Sequence, residues 1–189
     1  MPFWTSALSE PKRSHRFLLF FPTLQTPDYA YEPYLAKDVT KPSYQVTTTP
    51  HKFLGNTYYY PGTVTWGTVT ANIINAINPD ANDLLYTALI KSGYLLPPTQ
   101  QEVFDNPAQA PGTVNKQDAI NALGNVVIQE LNGQGGLVGE WVLQNSFITD
   151  AKFGDLNYDN DNLLNITLVM QYDWAEYTPG PAIAAAVEA

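Results

Sequence analysis

Between residues 165 and 174, Ile166, Leu168, Met170, Tyr172 and Trp174 alternate with Asn165, Thr167, Val169, Gln171 and Asp173. A period of two places the first set on one side of a strand, while a helix would scatter it around its axis. A chain built this way needs a sheet with one covered face. The rest of the sequence agrees: 15 Pro, 12 Gly and 12 Tyr accompany only 14% charged residues, a bias toward strands and turns. At 189 residues the chain suits one domain with a full apolar core. With no cysteine, disulfides and thiolate sites are excluded, so stability must come from packing and association.

Further strands are expected at Phe17–Phe21, at "SYQVTTT" and at "KFLGNTYYY". Pro61 presets φ for the first central position of a turn and Gly62 accepts a positive φ at the second, so a hairpin or corner is expected there. In "NPDANDLLYTALIKSGY" the period changes. Leu85, Ala88, Leu89 and Ser92 fall at helical spacing, with Asp80 as N-cap and Gly93 as terminator. A second, shorter helix is read in "NKQDAINALG", capped by Asn115, with Asp118 in its first turn and Gly124 at its end. "VVIQEL", "NGQGG" and "LVGEWVLQ" form a hairpin, and "SFITDAKF" is another strand. The expected fold is mainly β within the α+β class: an antiparallel barrel or sandwich with one principal flanking helix and one short helix. It is one domain over 1–189, with an N-terminal arm over 1–16, a long loop over 22–43 and a C-terminal tail over 178–189.

The net charge of -9, from 18 acids against 9 bases, disfavours tight binding to a phosphate backbone. The apolar run after "KRSHR" is too short for a secretory or spanning segment, so a soluble protein with no membrane insertion is expected. Asp155, Asn157, Asp159 and Asp161 are spaced like the first half of a calcium loop. However, Asn160 stands where that loop needs Gly, and Ile166 where it needs a bidentate Glu. The stretch reads as a solvated turn between strands, and no metal or cofactor is expected. "GQGG" lacks the helix and Lys-Ser or Lys-Thr pair of a phosphate loop, and the two histidines fit no zinc spacing. No serine sits in a nucleophile elbow, and a carboxylate pair such as Glu140 with Asp150 arises by chance among 18 acids. No catalytic residue is assigned. The aromatic residues are the richest remaining feature, and Trp4, Phe17, Tyr59, Trp66, Trp141, Tyr172 and Trp174 are interface candidates.

The segments "FWTSALSEPKRSHRFLLFF", "VTKPSYQV", "HKFLGNTYYYPGTVTWGTVTANI", "NPD" with its helix, and "FITDAKFGDLNYDNDNLLNITLVMQYDW" occur in this order from Phe3 to Trp174. Together they resemble tail tube proteins of T4-like contractile-tailed bacteriophages. The resemblance implies a non-enzymatic virion protein, made in the host bacterial cytoplasm. It implies hexameric rings that stack into a tube within a sheath, meeting baseplate and tail-terminator proteins at the ends. DNA would pass through the lumen without specific binding. A baseplate tube initiator and a type VI secretion tube protein are the close alternatives. A calcium- or sugar-binding β-sandwich is an alternative of another class.

Overall fold

The computed structural model describes residues 11–24, 32–96, 113–159 and 161–181. Ten strands and two helices are described. The strands are β1 (Phe17–Phe20), β2 (Ala36–Val39), β3 (Tyr44–Phe53), β4 (Asn56–Trp66), β5 (Val69–Ile74), β6 (Val126–Leu131), β7 (Leu137–Gln144), β8 (Phe147–Lys152), β9 (Asn165–Gln171) and β10 (Trp174–Pro179). The helices are α1 (Ala81–Lys91) and α2 (Lys116–Leu123). Sheet I has the order β1-β6-β7-β10 and sheet II the order β2-β5-β9-β8, with every neighbouring pair antiparallel. Among the described residues, strands β3 and β4 pair only with each other.

Alternation builds the core. Val69, Ala71 and Ile73 of β5 face Met170, Leu168 and Ile166 of β9 in register, and all six are fully buried. Leu19, Val126, Ile128 and Leu143 from sheet I join them in one apolar cluster. The sheets therefore form a sandwich, and the barrel alternative falls because the two hydrogen-bonded sheets remain separate. Edge strands β1 and β2 approach each other on one side, while α2 packs on β8 and α1 packs on α2.

Both helices start where the capping residues place them. The Asn82 backbone N–H donates to Asp80 Oδ1 (2.9 Å), and the Asp118 N–H donates to Asn115 Oδ1 (2.9 Å). Gly124, at φ 75°, ends α2. The buried stripe of α1 is Ala81, Leu84, Leu85 and Ala88, with Ser92 buried at its C-cap, so Leu85, Ala88 and Ser92 are covered as expected and Leu89 is exposed.

Four expectations are corrected. The long loop over 22–43 contains a 3-10 turn at Pro33–Leu35 and the strand β2, and its residues 25–31 lie outside the described part. The expected turn at Pro61 and Gly62 is a bulge inside β4: Val46 pairs with Val64 and Thr48 with Pro61, leaving Thr47 opposite two residues. Thr47 Oγ1 accepts from the Thr63 N–H (2.9 Å), and a Cβ on Gly62 would overlap that oxygen. The real turn is Leu54-Gly55, within the stretch expected to be one strand.

The alternating strand ends at Gln171, and Trp174 begins β10 in the other sheet. Asp173 marks the crossing: its N–H donates to the Gln144 carbonyl (3.0 Å), and its carboxylate accepts from Lys116 and Asn145 at 2.8 Å. Those side-chain hydrogen bonds hold its carboxyl below the usual range. Finally, the expected tail starts late, since Thr178 and Pro179 belong to β10 and the Gly180 N–H donates to Val138 O (2.9 Å). Pro179 is tolerated because β10 is an edge.

Candidate assembly surface

The β3–β4 ribbon is the feature that the protomer does not satisfy. Every residue from Tyr44 to Thr65 within its two strands is exposed. A two-stranded hairpin alone is marginally stable in water. This one carries Tyr44, Val46, Phe53, Tyr58, Tyr59, Tyr60 and Val64 as large exposed apolar groups. Tyr58, Tyr59 and Tyr60 are consecutive, so they point to opposite faces and make both sides aromatic. Among the described residues, only the base is anchored. Trp66 meets Tyr44 edge-on at 5.6 Å and Tyr172 at 6.0 Å, and the Gly67 N–H donates to Ser43 O (2.8 Å).

The tip is unusual. Leu54 has φ 48° and Gly55 φ 81°, the angles of a hairpin turn that ordinarily takes Asn-Gly. A leucine in that conformation costs about 1–2 kcal/mol. It is nevertheless 84% exposed, so nothing in the described protomer offsets the strain. Full burial of such a side chain contributes about 1.5–3 kcal/mol, enough to outweigh it if a partner covers the tip.

A second apolar surface lies where α1, α2 and β8 meet. Tyr86, Leu89, Val114, Ala119, Phe147 and Phe153 line an apolar groove of about 500 Å³, with Asp150 on its wall. Tyr86, Leu89, Val114 and Phe153 are all exposed. Leu85 and Ala88 of the buried stripe form the floor that Leu89 and Tyr86 border.

A charged cluster ties the base of the ribbon to the sandwich. Glu130 is buried on β6 and receives Lys12 from the segment before β1 and Lys41 from the β2–β3 connection. Burial alone would raise its carboxyl, but hydrogen bonds from Lys12 and Lys41 outweigh that and hold it below the ordinary value. Lys12 is raised in turn, chiefly by its hydrogen bond to Glu130. Lys12 also donates to the Tyr177 hydroxyl (3.2 Å), and the Tyr177 ring packs on Trp141 at 4.9 Å. A Cβ on Gly139 would overlap Tyr177, so this glycine makes room for the ring.

The interface candidates separate by position. Tyr59 is the most exposed of the ribbon tyrosines, and Trp174 is 43% exposed at the start of β10, where its Nε1 donates to Glu176 (2.8 Å). Phe17, Trp66 and Trp141 are half-buried. Tyr172 is a correction: it is 2% exposed, belongs to the core and offers a neighbour no surface, and burial pushes its phenol up. Trp4 lies outside the described residues. Sequence reading missed Phe53 and Leu54 because the turn was placed at Pro61-Gly62. The "YYY" run was the available signal, since consecutive aromatics cannot share one buried face.

Asp155, Asn157, Asp159 and Asp161 are exposed in the β8–β9 connection, and the Asp159 N–H donates to Asn157 Oδ1 (2.9 Å) as in a turn. Among the described residues no group of three or more His, Cys, Asp or Glu side chains is placed to hold a metal. No helix among them is long and apolar enough to cross a membrane. The outer face of sheet II carries mainly polar side chains, together with Val169 and Ile74. The register aligns Asp38, Asn72, Thr167 and Lys152 in one row across all four strands. Asn72 donates to Asp38 (2.7 Å) and Thr167 to Asn72 (2.6 Å).

No protein-family model matches the chain, and no curated protein matches it. Its fold is similar to those of chains in solved structures of contractile injection particles. One comes from the tube-terminating cap of the anti-feeding prophage, at 14% identity and TM-score 0.60, covering 95% of this chain and 100% of that one. Another comes from the sheath/tube terminator of the PVC extracellular contractile injection system in its extended state, at 13% identity and TM-score 0.59, covering 91% and 99%. A third comes from the anti-feeding prophage baseplate, at 18% identity and TM-score 0.55, covering 90% and 97%. At these identities the likeness is one of fold, and it spans nearly the whole chain.

Proposed function

We propose that the chain is a structural protomer of the tube in a contractile tail or injection particle, stacking as hexameric rings around a conduit. The observation that carries this reading is the β3–β4 ribbon, exposed on both faces with large aromatic and aliphatic groups and, among the described residues, anchored at its base, on a fold shared with such particles. A protomer that exposes a marginal hairpin of this kind gains from covering it in an assembly. The edge strands of each sheet supply further valences, since ring closure by edge pairing removes exposed edges.

The mainly polar outer face of sheet II suits the conduit wall. Asn72, Thr167, Thr70 and Gln171 present neutral hydrogen-bonding groups, and Lys152 on the same face is ion-paired with Asp150 at 3.6 Å. Such a wall gives a polyanion few fixed cations to stick to. In this reading the particle is a phage tail. The chain is made in the bacterial host and carried in the virion, with a sheath outside the tube and baseplate and terminator proteins at its ends. DNA passes through without being bound.

An end ring is the second reading, favoured by the similar likeness to chains from baseplate and cap particles. Electron microscopy of the purified chain at raised concentration separates the two. Tubes of open length support the tube protomer, single rings that do not stack support the end ring, and monomers under every condition contradict both.

A further inference from the structure

Resting on that reading of the chain as a self-assembling protomer, we propose that the ribbon tip, Phe53 and Leu54, docks in the α1–α2–β8 groove of a second copy. Three independent features converge on this contact. Leu54 occupies a left-handed conformation that Asn fills more easily, and its exposed side chain gains nothing for that in its own protomer. The groove is apolar and open, walled by Tyr86, Leu89, Val114, Phe147 and Phe153, and its volume of about 500 Å³ suits a pair of apolar side chains. The charges are also compatible: Lys52 lies just behind the tip, while Asp150, ion-paired with Lys152 at 3.6 Å, is on the groove wall and Asp83 lies in the first turn of the helix that carries Tyr86.

Tip and groove are different surfaces, so the contact is head-to-tail. It propagates from copy to copy either around a ring or from one ring to the next. The tip is thus an anchor in the sense of an interface hot spot, a small apolar knob in a pocket surrounded by weaker contacts.

The absence of cysteine from the chain makes a direct test clean. Leu54→Cys is combined in turn with Leu89→Cys, Val114→Cys and Phe153→Cys, and each double variant is oxidised under conditions where the unmodified chain assembles. A ladder of disulfide-linked dimers and higher species, in at least one pair and absent from each single variant, is expected. Assembled particles without a ladder in any pair would overturn the docking while leaving the assembly reading intact. An unmodified chain that never assembles would overturn both.

Leu54→Asn gives a second readout with opposite signs. It should leave the melting temperature of the isolated protomer unchanged or raised, because it relieves the turn. It should also raise the concentration needed for assembly by about tenfold or more, because it removes the apolar anchor. Assembly at the unmodified concentration would overturn the role of Leu54.

Discussion

Glu130 shows how a single carboxylate fixes the geometry around the ribbon. It is buried on β6, yet both of its partners come from segments outside sheet I: Lys12 before β1, and Lys41 at the foot of β3. Because its folded carboxyl is held below the ordinary 4.5, its stabilisation is complete above that value and is lost as pH falls through the folded pKa. Glu130→Gln should therefore lower stability near neutral pH by about 1–2 kcal/mol, at the modest end because both lysines can hydrate. It should also flatten the loss of stability below about pH 4.5, as denaturant titrations across pH would report. Gly139→Ala should destabilise by displacing Tyr177, with a loss of near-ultraviolet signal from the Trp141–Tyr177 pair. At this scale the sequence was legible where the chemistry is local. Asp80, Asn115 and Gly124 act within a few residues of themselves, and each sits where its capping role requires. Glu130 was not legible, because its partners lie 118 and 89 positions away, the latter the difference between residues 130 and 41.

At the level of elements, the α1 cap offers a calibrated test: Asp80→Ala should cost about 1 kcal/mol in chemical denaturation, since one backbone donor loses its partner. The ribbon should behave in the opposite way. Replacing residues 47–63 by a two-residue Asn-Gly turn between Val46 and Val64 keeps the paired base and removes only exposed chain. Thermal unfolding of the sandwich should then shift by less than about 5 °C, while assembly is lost. A large drop in melting temperature would mean that the ribbon supports the fold of its own protomer. Periodicity revealed the buried strands, since β5, β6 and β9 each alternate cleanly. It failed at the ribbon because neither face of β3 or β4 is buried, leaving no alternation to detect. It overran at Trp174 because the apolar pattern continues across Asp173, where the chain passes from one sheet to the other. The turn was misplaced for a related reason: Pro61-Gly62 satisfies a bulge as well as a turn, and Leu54-Gly55 carries a residue that turn preferences disfavour.

For the whole molecule, the two-sheet sandwich places its polar wall, its apolar ribbon and its apolar groove on separate surfaces, as a repeating assembly unit requires. Lysines introduced at Asn72 and Thr167 should leave rings and tubes intact. They should also make the wall retain DNA in a salt-dependent way, measurable as slowed DNA passage or as binding that weakens with added salt. Assembly unaffected by the lysines but with no retention at low salt would remove sheet II from the conduit wall. The mainly β class and the position of the final strands could be read from alternation, whereas the assembly surface had to wait for exposure, which a single sequence does not record. The most direct measurement is cryo-electron microscopy of the purified chain across rising concentrations. Six-fold rings, stacked and with each β3–β4 ribbon covered by a neighbouring copy, are the expected result. A monomer at every concentration and salt, with the ribbon free in solvent, would contradict a role in tube assembly.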